Sequence, residues 1–251
     1  PFGVTALSDA GHQVKVDAEL NGSQLPIAIE DSEVLVVRST PVTQATIEAA
    51  QNLCLIIRAG AGTNTIDKET ATKHGVRLCN VPGRNAAAVA ELVMGLLIAI
   101  DRRIPDNVSD LRNGRWDKKR YSAAHGLYGR SFGVIGVGAI GLAVLERAAA
   151  FGLKLHVIEK DGRSTEIRQQ LRDMNVLSVA SVDVLIDKCD VLSFHVPSNS
   201  DTRAMVNTEF LRKLHPGTIL INTARGDLID ERALVQALES KDLRVGLDVY
   251  C

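Results

Sequence analysis

Eight short runs rich in valine, isoleucine and leucine recur along the chain. They are Val34–Val37, Leu53–Ile57, Val76–Cys79, Ser131–Ile135, Lys154–Ile158, Val191–His195, Ile219–Asn222 and Val245–Val249. None alternates apolar with polar residues. A strand buried on one face alternates with period two, whereas a strand covered on both faces reads as an unbroken apolar run. Stretches with helical spacing separate the runs. Parallel strands need crossovers of that kind, and such crossovers are right-handed. The pattern predicts an α/β protein built on parallel sheets.

A chain of 251 residues allows one large domain or two modest ones. Pro82-Gly83 breaks the pattern, and Asn85 is a good N-cap for the long apolar helix that follows. The expected division is 1–82 and 83–251, the second part entered through helix 86–100. That apolar stretch, Ala86 to Ile100 with only Glu91 interrupting, is too short to span a bilayer comfortably and reads as a buried helix. A net charge of −1 and 4% aromatics argue against nucleic-acid and acidic-membrane partners. Cys54, Cys79, Cys189 and Cys251 share no short spacing, so no metal site is expected. The first three read as small buried hydrophobes in a reducing, cytoplasmic compartment.

Gly136-Val-Gly138-Ala139-Ile140-Gly141 is a GxGxxG run. It follows the Ser131–Ile135 strand and opens a helix expected over Leu142–Phe151. A second strand then ends at Glu159, 18 residues after Gly141 and close to the ~20 expected for a ribose-binding acid. Gly136 suits a tight turn, Gly138 lets backbone approach a pyrophosphate, and Gly141 lets helix and strand pack. The helix N-terminus offers free N–H groups to the phosphates. Glu159 favours NAD over NADP because a carboxylate repels a 2′-phosphate, a preference that nearby Lys160 and Arg163 weaken.

The stretch Leu220-Ile-Asn-Thr-Ala-Arg-Gly-Asp-Leu-Ile-Asp230 raises a different question. A guanidinium follows a buried strand where Thr or Asn would cap the sheet more cheaply. Strand ends in open α/β sheets face the ligand crevice, so Arg225 points at a ligand. In the front half, Arg38 and Arg58 end two strands and together suit a dianionic phosphate. Gly60-Ala61-Gly62 is a turn whose amides can form an anion nest.

GVIGVGAIG, HVP at 195–197, INTARG and GLDVY, in that order and spacing, resemble the D-isomer-specific 2-hydroxyacid dehydrogenases. VVRSTPVT (36–43) and RAGAGTNTID (58–67) extend the resemblance over nearly the whole chain. It implies a Rossmann-type doubly wound sheet plus a smaller flavodoxin-like α/β substrate, or lid, domain. It implies NAD as cofactor and a small 2-hydroxy or 2-oxo acid as substrate, with 3-phosphoglycerate favoured. Glyoxylate or another unphosphorylated oxo acid is the alternative, as is a corepressor-like NAD(H)-sensing module without catalysis. By the same resemblance, Arg225 binds the carboxylate and carbonyl oxygen of the oxo acid. Ala139 and Ile140 present amides to the pyrophosphate. His195, Val196 and Pro197 line the adenosine end. Thr223 and Ala224 touch the nicotinamide side, and Asp248 holds its carboxamide. His195 matches a cofactor-lining position rather than a general acid. Helix 86–100 and the charged arm after it, through Trp116, imply a homodimer or larger homo-oligomer. The proton donor implied is a histidine held by a glutamate, both downstream of GLDVY. A longer parent chain is therefore expected, with this one binding NAD(H) but turning over poorly.

Overall fold

A computed structural model describes residues 2–251. The chain forms two compact units, Pro1–Arg84 and Asn85–Cys251.

The first unit holds β1 (Val34–Val37), β2 (Leu55–Arg58) and β3 (Arg77–Asn80), parallel and in that order. The register puts Val34, Leu55 and Arg77 side by side, and likewise Val36, Ile57 and Cys79. The opposite face carries Leu35, Val37 and Ile56, which pack with Leu25, Ile47 and Ala71 from helices Leu25–Ala28, Gln44–Ala49 and Lys68–Lys73. Val34 and Val36 are 47% and 55% exposed. The expectation of strands covered on both faces therefore fails for β1–β3. Helix Phe2–Asp9 buries none of its residues. VLVV and LIIR are apolar on both sides, so nothing in those runs reveals that only one side is packed.

The cysteine expectation needs the same correction. Cys54 and Cys79 are exposed and only Cys189 of the three is buried. Cys79 lies on the open face of an edge strand. Cys54 precedes β2 and donates its thiol to the Glu33 carbonyl at 3.2 Å. Burial pushes the Cys189 thiol up to about 12, so it stays an inert apolar group.

The second unit holds β4 (Ser131–Ile135), β5 (Lys154–Ile158), β6 (Leu177–Val179), β7 (Val191–Phe194), β8 (Ile219–Asn222) and β9 (Arg244–Leu247). All are parallel, in the order β6-β5-β4-β7-β8-β9. The order reverses between β4 and β7, so the crevice at their carboxyl ends is the place for a ligand. β6 is absent from the sequence-based reading, because Leu-Ser-Val is short and centred on a polar residue. One face packs Phe132, Val134, Leu155, Val157, Val191 and Ile221 against Val93, Leu97, Val144 and Leu145. The other packs Leu192, Phe194 and Leu220 against Leu185, Phe210 and Leu234. β4, β5, β7 and β8 are covered on both faces, as their apolar runs predict.

Helix Ala86–Asp101 packs its Ala90, Val93, Met94 and Leu97 face into this unit. Asn85 occupies its N-cap position, but its side chain caps nothing. Its backbone (φ −94°, ψ 4°) is not the extended conformation that lets a cap side chain reach the first free amides. Two buried carboxylates organise the arm that follows. Asp101 accepts the Gly126 amide at 3.0 Å and faces Arg130 at 3.3 Å. Asp110 accepts from Tyr121, Arg115 and Arg120, and the Tyr121 hydroxyl followed by Arg115 holds its carboxyl below the usual range. No described helix is long and apolar enough to cross a membrane.

Phe194 is fully buried at the end of β7, with its ring centroid 5.9 Å from that of Phe210. Phe194→Ala is expected to destabilise this unit by about 3–5 kcal/mol, read as a lower urea midpoint with an unchanged slope.

Candidate functional site

The turn after β4 is built by contact rather than by flexibility. Gly136 has φ +105°, and a Cβ there would stand 2.5 Å from the His195 carbonyl oxygen. A Cβ on Gly141 would stand 2.0 Å from the carbonyl oxygen of Gly136. Gly138 is different, because a Cβ there would meet open space. It is the N-cap of a helix that runs Ala139–Ala150, three residues earlier than the Leu142 start expected from sequence. Ala139 and Ile140 therefore lie in the first helical turn, whose amides have no intrahelical partner. No side chain caps this end. Twelve residues of helix thus aim free N–H groups and a positive dipole end at the open space beside Gly138.

Glu159 follows β5, and its amide donates to Val179 of β6 at 2.7 Å. The Ser178 hydroxyl, then Arg163, hold its carboxyl below the usual range. Arg163 also donates to the Ile158 carbonyl. An ionised, exposed carboxylate at this strand end suits the two hydroxyls of a ribose.

His195 follows β7. Its Nε2 and the Ser193 hydroxyl are 2.8 Å apart, and burial lowers its pKa to about 4. The ring is neutral near pH 7 and unsuited to donate a proton. Val196 beside it packs partly on the core, and Pro197 is exposed.

The turn after β8 answers the question that Arg225 raises. Asn222, fully buried at the strand end, does the capping. Its Oδ1 accepts the Ala224 amide at 3.0 Å and its Nδ2 donates to the Arg225 carbonyl at 2.8 Å. The guanidinium is left free. It donates to the Ala224 carbonyl at 2.6 Å and forms no ion pair among the described residues. The buried hydroxyl of Thr223, two residues earlier in the turn, has no partner among the described residues. Sequence reasoning treated Asn222 only as the end of a strand. The available signal was an amide closing an otherwise apolar run, Ile-Leu-Ile-Asn. Gly226 has its own constraint, since a Cβ there would stand 2.3 Å from the Tyr250 carbonyl. The last strand, expected as Val245–Val249, is β9 at Arg244–Leu247, so Asp248 follows it, exposed, its amide bonded to the Asn222 carbonyl at 3.0 Å.

The first unit presents its own polar edge. Arg38 is exposed just past β1, and Arg58 closes β2 beside Val37. Neither forms an ion pair among the described residues, and the buried Arg58 Nε has no hydrogen-bond partner. The Arg58 guanidinium lies over Gly60, where a Cβ would be 1.5 Å from it. Asn80 donates to the Ala61 carbonyl at 2.7 Å, and the Val81 amide to the Gly60 carbonyl at 3.0 Å. Both carbonyls of that turn are thereby held. The Gly60 amide donates to the Arg58 carbonyl at 2.8 Å, so the expected nest is reduced to the Ala61 and Gly62 amides, which have no backbone acceptor among the described residues. Among the described residues no group of three metal-ligating side chains is present.

Comparison with known proteins gives the following. Residues 94–251 match the family model described as D-isomer specific 2-hydroxyacid dehydrogenase, NAD binding domain. The chain is 39% identical over 250 residues to D-3-phosphoglycerate dehydrogenase of Methanocaldococcus jannaschii, covering 98% of this chain and 46% of that one. It is 39% identical over 241 residues to hydroxypyruvate reductase of Thermotoga maritima, covering 95% of this chain and 76% of that one. The chain thus spans about half the length of the first of these curated relatives. Among solved structures, the TT0316 protein of Thermus thermophilus superposes with a TM-score of 0.89 at 29% identity, covering all of this chain and 79% of that one. An NAD-dependent formate dehydrogenase from Staphylococcus aureus in complex with NAD superposes with a TM-score of 0.83 at 28% identity, covering 98% and 73%.

The lowered pKa of His195 has a consequence for stability. Between its ordinary value of 6.5 and about 4, the unfolded chain binds a proton that the folded chain does not. The neutral ring's contribution is complete above pH 6.5 and declines as pH falls toward 4. His195→Asn is expected to flatten the pH dependence of unfolding free energy in that window by up to one proton, as measured by denaturant titration at several pH values.

Proposed function

This chain belongs to the D-isomer specific 2-hydroxyacid dehydrogenase family, and from that membership we propose that the protein oxidises 3-phosphoglycerate to 3-phosphohydroxypyruvate with NAD, the opening step of serine biosynthesis. The observation that carries this reading is Arg225. It is an arginine without an ion-pair partner among the described residues, its main chain held at the carboxyl edge of the sheet by Asn222, in the same turn as the unpartnered buried hydroxyl of Thr223.

The residues fit a dinucleotide. Gly138 leaves room for a pyrophosphate, Gly136 and Gly141 let the turn and the helix pack closely behind it, and the Ala139 and Ile140 amides bind it. Glu159 takes the ribose hydroxyls. His195, Val196 and Pro197 line the adenosine end, Thr223 and Ala224 the nicotinamide side, and Asp248 holds the carboxamide. NAD bound there would supply a hydride acceptor for C2 of the hydroxy acid, the hydroxyl proton passing to the histidine that the resemblance implies downstream of GLDVY. Arg225 orients the substrate through its carboxylate, for which the planar fork is suited, and stabilises negative charge on the reacting oxygen. His195, neutral and bonded to Ser193, is no proton donor, and we place it on the cofactor. In the first unit, which we read as the substrate-binding domain, Arg38 and Arg58 bind the phosphate, and the Ala61 and Gly62 amides bind the carboxylate end, the Gly60 amide being donated to the Arg58 carbonyl.

A second reading keeps the site and drops the phosphate. The similarity to a hydroxypyruvate reductase over 76% of its length favours it, with hydroxypyruvate or glyoxylate as the oxo acid. We also propose a homodimer in a reducing cytoplasm. Four free thiols fit that compartment. Leu92, Ile104, Val108, Leu111 and Trp116 form an exposed apolar series along helix 86–101 and its arm, fit for a second copy.

NADH oxidation with phosphohydroxypyruvate, hydroxypyruvate and glyoxylate at equal concentration separates the readings, using the longest native form of the protein. A preference for the phosphorylated acid that Arg38→Ala and Arg58→Ala each reduce supports the first. A preference for an unphosphorylated acid, indifferent to Arg38, discards the phosphate roles. For the cofactor site, Gly138→Ala is expected to leave the melting temperature unchanged, since its Cβ meets no protein atom, yet to weaken NADH binding by about tenfold or more. Unaltered NADH affinity would remove Gly138 from the pyrophosphate site.

A further inference from the structure

Asp227 lies two residues from Arg225 in the same turn, yet it is not the arginine's partner. Its carboxylate accepts the Ser198 hydroxyl at 2.5 Å and lies 3.6 Å from the Arg203 guanidinium. Arg225 donates only to the Ala224 carbonyl. An aspartate two residues from an unpaired arginine is at high effective concentration and should compete for it. Something holds it away.

That something is not needed to hold the loops together. The segment 197–206 is joined to the segment 226–230 by main-chain bonds. Ala204 donates to the Asp227 carbonyl at 2.8 Å, Val206 to the Leu228 carbonyl at 3.0 Å, and Asp230 to the Val206 carbonyl at 3.0 Å. Val206 and Ile229 form a parallel bridge. Ala204 adopts φ +49°, a conformation alanine rarely takes, so this loop is held against a local preference by its surroundings. The side chains of Ser198 and Arg203 add little to that stitching. Arg203 is 71% exposed, where an ion pair stabilises only weakly.

We propose that Ser198 and Arg203 are positioning residues that keep the Asp227 carboxylate off Arg225, so that the guanidinium stays open to the carboxylate of a 2-oxo acid. This rests on the reading of Arg225 given above. Ser198 is the stronger of the two because it is half-buried and its bond is short. If both are removed, Asp227 swings to Arg225 and acts as a built-in competitor. The apparent affinity for an external carboxylate then falls in proportion to the fraction of arginine left free.

The test needs no turnover. Oxalate is a planar dicarboxylate that mimics the carboxylate–carbonyl head of a 2-oxo acid. Its dissociation constant is measured by calorimetry on the protein saturated with NADH. The double variant Ser198→Ala/Arg203→Ala is expected to weaken oxalate binding by about tenfold, with NADH affinity and melting temperature unchanged. Adding Asp227→Asn to that variant is expected to restore oxalate binding to within about twofold of the unsubstituted protein. A merely structural role for Ser198 and Arg203 would not be rescued by a third substitution. Unchanged oxalate affinity in the double variant, or no recovery in the triple variant, overturns the proposal. Arg225→Gln separates this from the underlying reading. If that variant binds oxalate normally, the assignment of Arg225 fails. If it binds poorly while the double variant binds normally, only the role of Ser198 and Arg203 fails.

Discussion

The carbonyl oxygen of His195 leaves no room for a side chain on Gly136, and the carbonyl oxygen of Gly136 leaves none on Gly141. Three segments meet at that point: the turn after β4, the helix it launches and the end of β7. Because they touch through backbone, their spacing does not depend on side-chain rotamers. The His195 amide donates to the Ile135 carbonyl at 2.7 Å, carrying the ladder one residue beyond the strand. Phe194 pairs in register with Asn222, so the same fixed point sets where the β8 turn begins. The helix terminus, His195 and Arg225 thus take their places from one close backbone contact.

Polar groups at this edge divide by whether the protein satisfies them. Asn222 has both ends of its amide bonded, which is the usual condition of a buried polar side chain. Thr223, the next residue, is buried with its hydroxyl unmatched. Leaving a buried hydroxyl unpaired is unfavourable by roughly 1–3 kcal/mol, and a native chain tolerates that where a ligand completes the set. In the first unit the Arg58 Nε and the Thr65 hydroxyl are likewise buried and unmatched among the described residues. The contrast between satisfied and unsatisfied neighbours is a sharper pointer to function than burial or charge alone.

Much of the second unit was legible in sequence because strands buried on both faces must be apolar throughout, and Phe-Gly-Val-Ile, Val-Leu-Ser-Phe and Ile-Leu-Ile-Asn read that way. Gly136, Gly138 and Gly141 were legible because their chemistry needs an absent side chain at fixed spacing. Arg225 stood out as a charge at the end of an apolar run. Other features left no such trace. β6 is three residues with a serine at its centre. The one-sided packing of β1 and β2 was hidden because Val-Leu-Val-Val and Leu-Ile-Ile are apolar on both faces. The capping by Asn222, the orphan hydroxyl of Thr223 and the diversion of Asp227 toward Ser198 are facts of three-dimensional approach, with no periodicity to betray them.

The open face of the first sheet has a practical consequence. Cys79 sits in it beside Ile57, which neighbours Val36 in turn, a free thiol on an exposed, largely apolar surface. The buried Cys189 is held protonated, so it is slow to react. An environment-sensitive fluorophore attached at position 79, with Cys54 and Cys251 replaced by serine, would therefore sit alone on that surface. Its emission would shift to the blue whenever another piece of protein came to rest there, which makes this face its own reporter of contact.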